Sequence, residues 1–159
     1  MAKKPVFYSF HYDNDVMRVH QIRNIGVLEG NTPVNPNDWE KVKRGGEESI
    51  KRWIDENMKY KQCVIVLVGS DTSTRPWVKY EIKKAWNEGK PIFGIYIHNI
   101  KCPRTDTCRK GNNPFDTIIL DNGDRLSKYV PCYDPLSNDA YGDISRRLEN
   151  WVNTAPRRL

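Results

Sequence analysis

Cys63-Val64-Ile65-Val66-Leu67-Val68 is an unbroken apolar run closed by Gly69. A strand with one wet face alternates apolar and polar residues. A run without alternation belongs to a central strand of a parallel sheet, whose two faces are both covered. Outward from this strand, Glu47 to Met58 reads as an amphipathic helix: Ile50, Trp53, Ile54 and Met58 fall on one face, with Lys51, Arg52, Asp55 and Glu56 outside. On the other side, Ser70 to Arg75 is a polar loop and Pro76 suits the first position of a helix running to about Glu88, where Gly89 stops it. Ile92 to Ile97 is a second apolar strand.

The flanks extend the same alternation. Val6 to Phe10, directly after Pro5, reads as a strand, and Asp13 or Asn14 offers an N-cap to a helix through about Asn24 with Val16, Val19 and Ile22 turned inward and Gly26 as its stop. Gly30 to Gly46 is a long polar loop with Pro33, Pro36 and a Gly45-Gly46 pair. Asn99 to Pro114 is irregular, Thr117 to Leu120 is expected as an edge strand, and Ile144, Leu148, Trp151 and Val152 mark a closing helix. Strands alternating with helices predict an α/β three-layer sandwich with a mostly parallel central sheet flanked by helices. Ligands in such open sheets bind beyond the carboxyl ends of the strands, which directs attention to the loops after Phe10 and Val68 and to the Gly30–Gly46 loop.

A chain of 159 residues with 38% hydrophobic and 29% charged residues fits one globular domain, residues 1–159, with its core at about 5–100. The longest apolar run is far short of a membrane span, so no membrane partner is expected. No stretch near the amino end has the apolar length of an export signal; a reducing, cytoplasmic location with Cys63, Cys102, Cys108 and Cys132 as free thiols is the corresponding expectation. The net charge of +6 comes from dispersed Lys and Arg without an aromatic-interleaved stripe, which reads as a solvated surface: nucleic acid is not expected as a partner, and an anionic small molecule is compatible with the balance. The cysteines lack metal-ligand spacing with histidine, and no P-loop, dinucleotide fingerprint or hydrolase elbow is present; no metal is expected.

Two constellations remain. Ser9-Phe10-His11-Tyr12-Asp13 lies where the first strand hands over to the first helix; it serves either as a strand end and cap or as the mouth of a cleft, with Phe10 stacking and His11 hydrogen bonding. Trp77-Val78-Lys79-Tyr80-Glu81-Ile82 places Glu81 one turn after Trp77, beside the core stripe Val78, Ile82, Ala85 and Trp86. Spacing alone allows Glu81 to be a surface residue paired with Lys79 or Lys84, or a group directed at a site. Asp13 with Asp15 is the acidic pair a magnesium-dependent receiver-like domain would need.

Val6–Asp13 resembles the first strand and following loop of Toll/interleukin-1 receptor (TIR) domains, and more closely the bacterial and archaeal TIR-like branch that includes the Thoeris anti-phage ThsB family. Trp77–Ile82 is similar to the W-x-x-x-E-[IL] helix of TIR domains that cleave NAD, and Cys63–Ser70 is similar to the central strand before it. The resemblance covers about residues 5–100. It implies a flavodoxin-like TIR fold and an NAD nucleosidase or ADP-ribosyl cyclase, in which Glu81 is catalytic and Phe10, His11, Ser70, Asp71 and Trp77 contact substrate. It also implies NAD as substrate with no separate cofactor, a cyclic ADP-ribose-type messenger that activates an effector, and self-association through TIR surfaces. Where many TIR domains carry a basic residue after the first strand, this chain has His11, and its Gly30–Gly46 loop, at the place of the family's BB loop, has its own Pro-rich sequence. A non-catalytic TIR-like interaction module is the alternative.

Overall fold

The computed structural model describes residues 4–26, 28–30, 41–101 and 107–158, of which 12–14, 16, 29 and 30 are described by their backbone only. Among these residues five strands, β1 (Lys4–Ser9), β2 (Leu28–Gly30), β3 (Cys63–Val68), β4 (Ile92–Tyr96) and β5 (Cys132–Tyr133), form one sheet in the order β2-β1-β3-β4-β5. Every adjacent pair is parallel. The order 2-1-3-4-5 is the flavodoxin-like doubly wound arrangement, and β3 is its middle strand, all six residues buried as its sequence requires.

Among the described residues, four helices cover the sheet: α1 (Tyr12–Arg23), α2 (Gly46–Met58), α3 (Pro76–Asn87) and α4 (Ala140–Asn153). The two-residue period of the strands divides the core. Val6, Tyr8, Ile65, Leu67, Phe93 and Ile95 pack with Val19 and Ile22 of α1 and with Ile144, Leu148, Trp151 and Val152 of α4. Phe7, Val64, Val66, Val68 and Ile92 pack with Ile50, Ile54 and Met58 of α2 and with Val78, Ile82 and Ala85 of α3. Each such side chain, fully buried, contributes about 1.5–3 kcal/mol. The aromatic lock on the α4 side is Trp151, stacked on Tyr133 at 4.5 Å and capped by the Arg147 guanidinium at 4.6 Å.

Three sequence expectations change. The α1 helix starts two or three residues earlier than a cap at Asp13 or Asn14 implies: the N-cap is His11, with extended backbone and its carbonyl accepting from the Asp15 N–H at 2.9 Å. Thr117–Leu120 is not the edge strand. Ile118 is buried while Ile119 is 60% exposed, and the run folds back at Gly123 (φ +87°) so that Ile119 pairs antiparallel with Arg125. The edge is taken by Cys132–Tyr133, because Gly94 leaves room for it: a Cβ on Gly94 would lie 2.9 Å from both Cys132 Sγ and Phe115 Cε2. Third, the long loop is shorter than Gly30–Gly46: residues 41–44 form a helical turn that ends at Gly45, and Gly46 (φ +81°) opens α2. Residues 31–40 of the expected loop, and Cys102, lie outside the described residues, as do the side chains of Asp13 and Val16. Cys63, Cys108 and Cys132 are unpaired thiols, and no described helix is long and apolar enough to cross a membrane.

Candidate active site

Strand pleating decides where the end of β1 points. Residues 6, 8 and 10 face α1 and α4, and residues 7 and 9 face α2 and α3. Ser9 closes β1 on the α3 side, at the carboxyl edge of the sheet, and is fully buried. One turn into α3, Glu81 meets it: the Ser9 hydroxyl donates to Glu81 Oε1 at 2.7 Å, and Glu81 is only 7% exposed. The surface pairing allowed by spacing does not form. Lys84 instead bonds Glu88 and Asp55, at 2.5 and 3.4 Å. Burial pushes the Glu81 carboxyl up to about 8, with the Ser9 hydrogen bond pulling it back toward the ionised form.

The other residues singled out by sequence surround this edge on different elements. Phe10 follows Ser9 and packs into the α1–α4 layer. His11, half-buried, caps α1. Ser70 and Asp71 form the turn after β3, where Asp71 precedes the 3-10 turn Thr72–Thr74 and its carbonyl accepts from Thr74 Oγ1 at 2.9 Å. Trp77 stands edge-on to Tyr80 at 5.6 Å, in the α2–α3 layer, and Tyr80 donates to Asp55 of α2 at 2.9 Å. The structure therefore brings Glu81 to Ser9 directly, sets Phe10 and His11 immediately after that serine in the chain, and puts Ser70 and Asp71 on the next loop along the same sheet edge.

Sequence reasoning missed what holds these loops together. Asp15 and Arg18 are fully buried on the inner face of α1, with Arg18 Nη1 3.8 Å from Asp15 Oδ1 and Arg18 Nε donating to the Ile100 carbonyl at 2.9 Å. Asp15 also takes a hydrogen bond from Thr72, whose Oγ1 accepts from the Gly69 N–H at 2.8 Å. Gly69 is required there: a Cβ would sit 2.3–2.4 Å from the Asp15 carboxylate oxygens. The signal was available, since Asp15, Val19 and Ile22 share the apolar face of α1 at i, i+4 and i+7, a poor place for a carboxylate without a partner. Burial raises Asp15 to about 6, with Arg18 pulling it down. Among the described residues no three His, Cys, Asp or Glu side chains converge on a point that could hold a metal ion.

Chemically, the edge offers a carboxyl that changes charge near neutral pH, beside a hydroxyl and two polar loops. A protonated Glu81 can donate a hydrogen bond; an ionised one can stabilise positive charge in a site of low dielectric. The family described as "Thoeris protein ThsB, TIR-like domain" matches residues 7–101, which include the second half of β1 with Ser9, then α1, β3 and Glu81. A protein of Bacillus cereus (strain MSX-D12), named "Putative cyclic ADP-D-ribose synthase ThsB1", is 37% identical over 123 residues. That match covers 74% of this chain and 64% of the relative, so it spans less than two thirds of the relative's length. With a parallel sheet in flavodoxin-like order and the family match running from its first strand past its fourth, the chain belongs to the TIR-like domain family of the Thoeris protein ThsB.

Proposed function

We infer that this protein is an NAD-consuming enzyme of anti-phage defence that releases nicotinamide and makes a cyclic ADP-ribose-type messenger for an effector. The observation that carries the reading is the Glu81 carboxyl, buried at the carboxyl edge of the sheet and held by Ser9 at 2.7 Å rather than paired with a surface lysine. The relative's name, a cyclic ADP-D-ribose synthase, supports it.

The chemistry suits such a group. The bond between the ribose C1′ and the nicotinamide nitrogen breaks, its electron pair goes to the ring nitrogen, and neutral nicotinamide leaves. Positive charge develops on the ribose. An ionised Glu81 stabilises that charge and accepts from a ribose hydroxyl. The cationic nicotinamide ring of bound NAD itself favours ionisation, lowering a carboxyl that otherwise holds its proton to about pH 8. Phe10 and Trp77 serve as apolar walls, and His11, Ser70 and Asp71 take ribose or phosphate oxygens. Capture of the cation by another atom of the same molecule gives the cyclic product; capture by water gives ADP-ribose. NAD is the substrate and no separate cofactor is required. Self-association through TIR surfaces is part of the same reading.

The purified protein is incubated with NAD, alone and with phage-infected lysate, beside Glu81→Gln. Nicotinamide release by the parent in at least one condition, and none by the variant, is expected. No release under any condition overturns the enzyme reading. The depth of Glu81, 7% exposed, is the one observation favouring a non-catalytic interaction module, in which the carboxyl only braces α3 against β1. That reading predicts that Glu81→Gln protects cells from phage as well as the parent does.

A further inference from the structure

Away from Glu81, toward the opposite edge of the sheet, lies a groove of about 610 Å³. Its walls are the last turns of α3 (Lys83, Trp86, Asn87), the turn 118–122 with Tyr129, and the carboxyl-terminal segment Pro156–Arg158. The volume suits a ligand of nucleotide size.

Two features give the groove a chemical character. The first is an aromatic wall. The Trp86 and Tyr129 rings stack at 6.3 Å with planes 27° apart, and Tyr129 is held in place because its hydroxyl donates to Asp124 Oδ2 at 2.5 Å. Ile118 and Leu120 continue the apolar surface. The second is charge. Lys83, Arg157 and Arg158 are exposed on the rim, and among the described residues none of the three is in an ion pair; Asp121 is the one acidic residue of the lining. The rim is fixed to the body of the domain: the Pro156 carbonyl accepts from Ile92 N–H at 2.9 Å, and Arg158 Nη1 reaches Asn87 Oδ1 at 3.4 Å.

We propose that this groove binds a nucleotide, with the base against Trp86 and Tyr129 and the phosphate between Lys83, Arg157 and Arg158. A stacked aromatic pair flanked by apolar side chains suits a heteroaromatic ring, and paired arginines fork onto phosphate oxygens. A purely apolar ligand would leave the cations unused, and a bare anion would leave the aromatic wall uncovered. The site stands apart from Glu81 and does not rest on NAD cleavage.

The test is calorimetric titration of the full chain with AMP, adenosine and inorganic phosphate. AMP is expected to bind saturably, and adenosine and phosphate each at least about tenfold more weakly. The exposed pair Lys83→Glu with Arg157→Glu, whose fold is checked by circular dichroism, weakens AMP by at least about tenfold, whereas Glu81→Gln leaves AMP affinity unchanged. Trp86→Leu, which keeps an apolar residue beside Tyr129, lowers affinity for AMP more than for phosphate. No saturable AMP binding at millimolar concentration overturns the proposal. So does AMP binding that survives the double charge reversal or disappears with Glu81→Gln, since either places the nucleotide elsewhere.

Discussion

Replacing Glu81 by glutamine tests the electrostatics of the site without substrate. Burial raises this carboxyl from 4.5 to about 8. Between those limits the folded protein keeps a proton that the unfolded chain has released, so stability falls as pH rises, by up to about 1.4 kcal/mol per pH unit. Across the whole window the ionised form becomes on the order of 5 kcal/mol less favourable in the folded state, a ceiling that water penetration and relaxation reduce. The glutamine side chain of the Glu81→Gln variant cannot ionise, and its amide oxygen still accepts from the Ser9 hydroxyl. The assay is urea unfolding followed by far-ultraviolet circular dichroism at pH 5, 6.5 and 8 on both proteins. The difference between them cancels Asp15 and the surface groups. The variant is expected to gain on the parent steadily from pH 5 to pH 8, by at least about 1 kcal/mol. A difference that stays constant with pH would show that Glu81 ionises normally, and the buried, proton-holding carboxyl would have to be abandoned.

Ser9→Ala removes the donor to Glu81 and should cost about 1–2 kcal/mol, more at pH 8 than at pH 5, because the ionised carboxylate depends more on that hydrogen bond; unfolding at both pH values measures it. Gly69→Ala drives a methyl to within 2.3–2.4 Å of the Asp15 oxygens and should destabilise by about 2–4 kcal/mol, read as a lower urea midpoint; a change under about 0.5 kcal/mol would mean α1 moves away freely. Arg18→Ala strands the Asp15 carboxyl and frees the Ile100 carbonyl, for a loss of roughly 3–5 kcal/mol at pH 8 that is smaller at pH 5, where Asp15 holds its proton with or without the guanidinium. A thermal scan at pH 5 and pH 8 separates the two regimes.

Much of the architecture was legible because each layer leaves its own period in the chain. The run Cys63–Val68 could only be a strand covered on both faces, and the faces of α2 and α3 matched their buried residues down to Ile50, Ile54, Val78 and Ile82. The last third was harder. Ile118-Ile119-Leu120 has strand composition, yet Asp121-Asn122-Gly123 turns the chain after it, and the real edge strand is only Cys132 and Tyr133, too short to carry any pattern. At the site, the sequence pointed to Glu81 through resemblance; spacing alone favoured a surface lysine pair. The decisive fact is that Ser9 ends a strand on the α3 side, which depends on register and not on composition. The Asp15–Arg18 pair escaped notice for a related reason: its partners, Thr72 and the Ile100 carbonyl, come from loops distant in sequence.

Among the described residues both margins of the sheet are narrow. The described part of β2 contributes three residues and β5 two, so a strand from another molecule, laid alongside, would find few amides and carbonyls to zip onto. Two copies of this domain set edge to edge have little to gain by extending one another's sheets. Aggregation into continuous β ribbons is discouraged by the architecture itself.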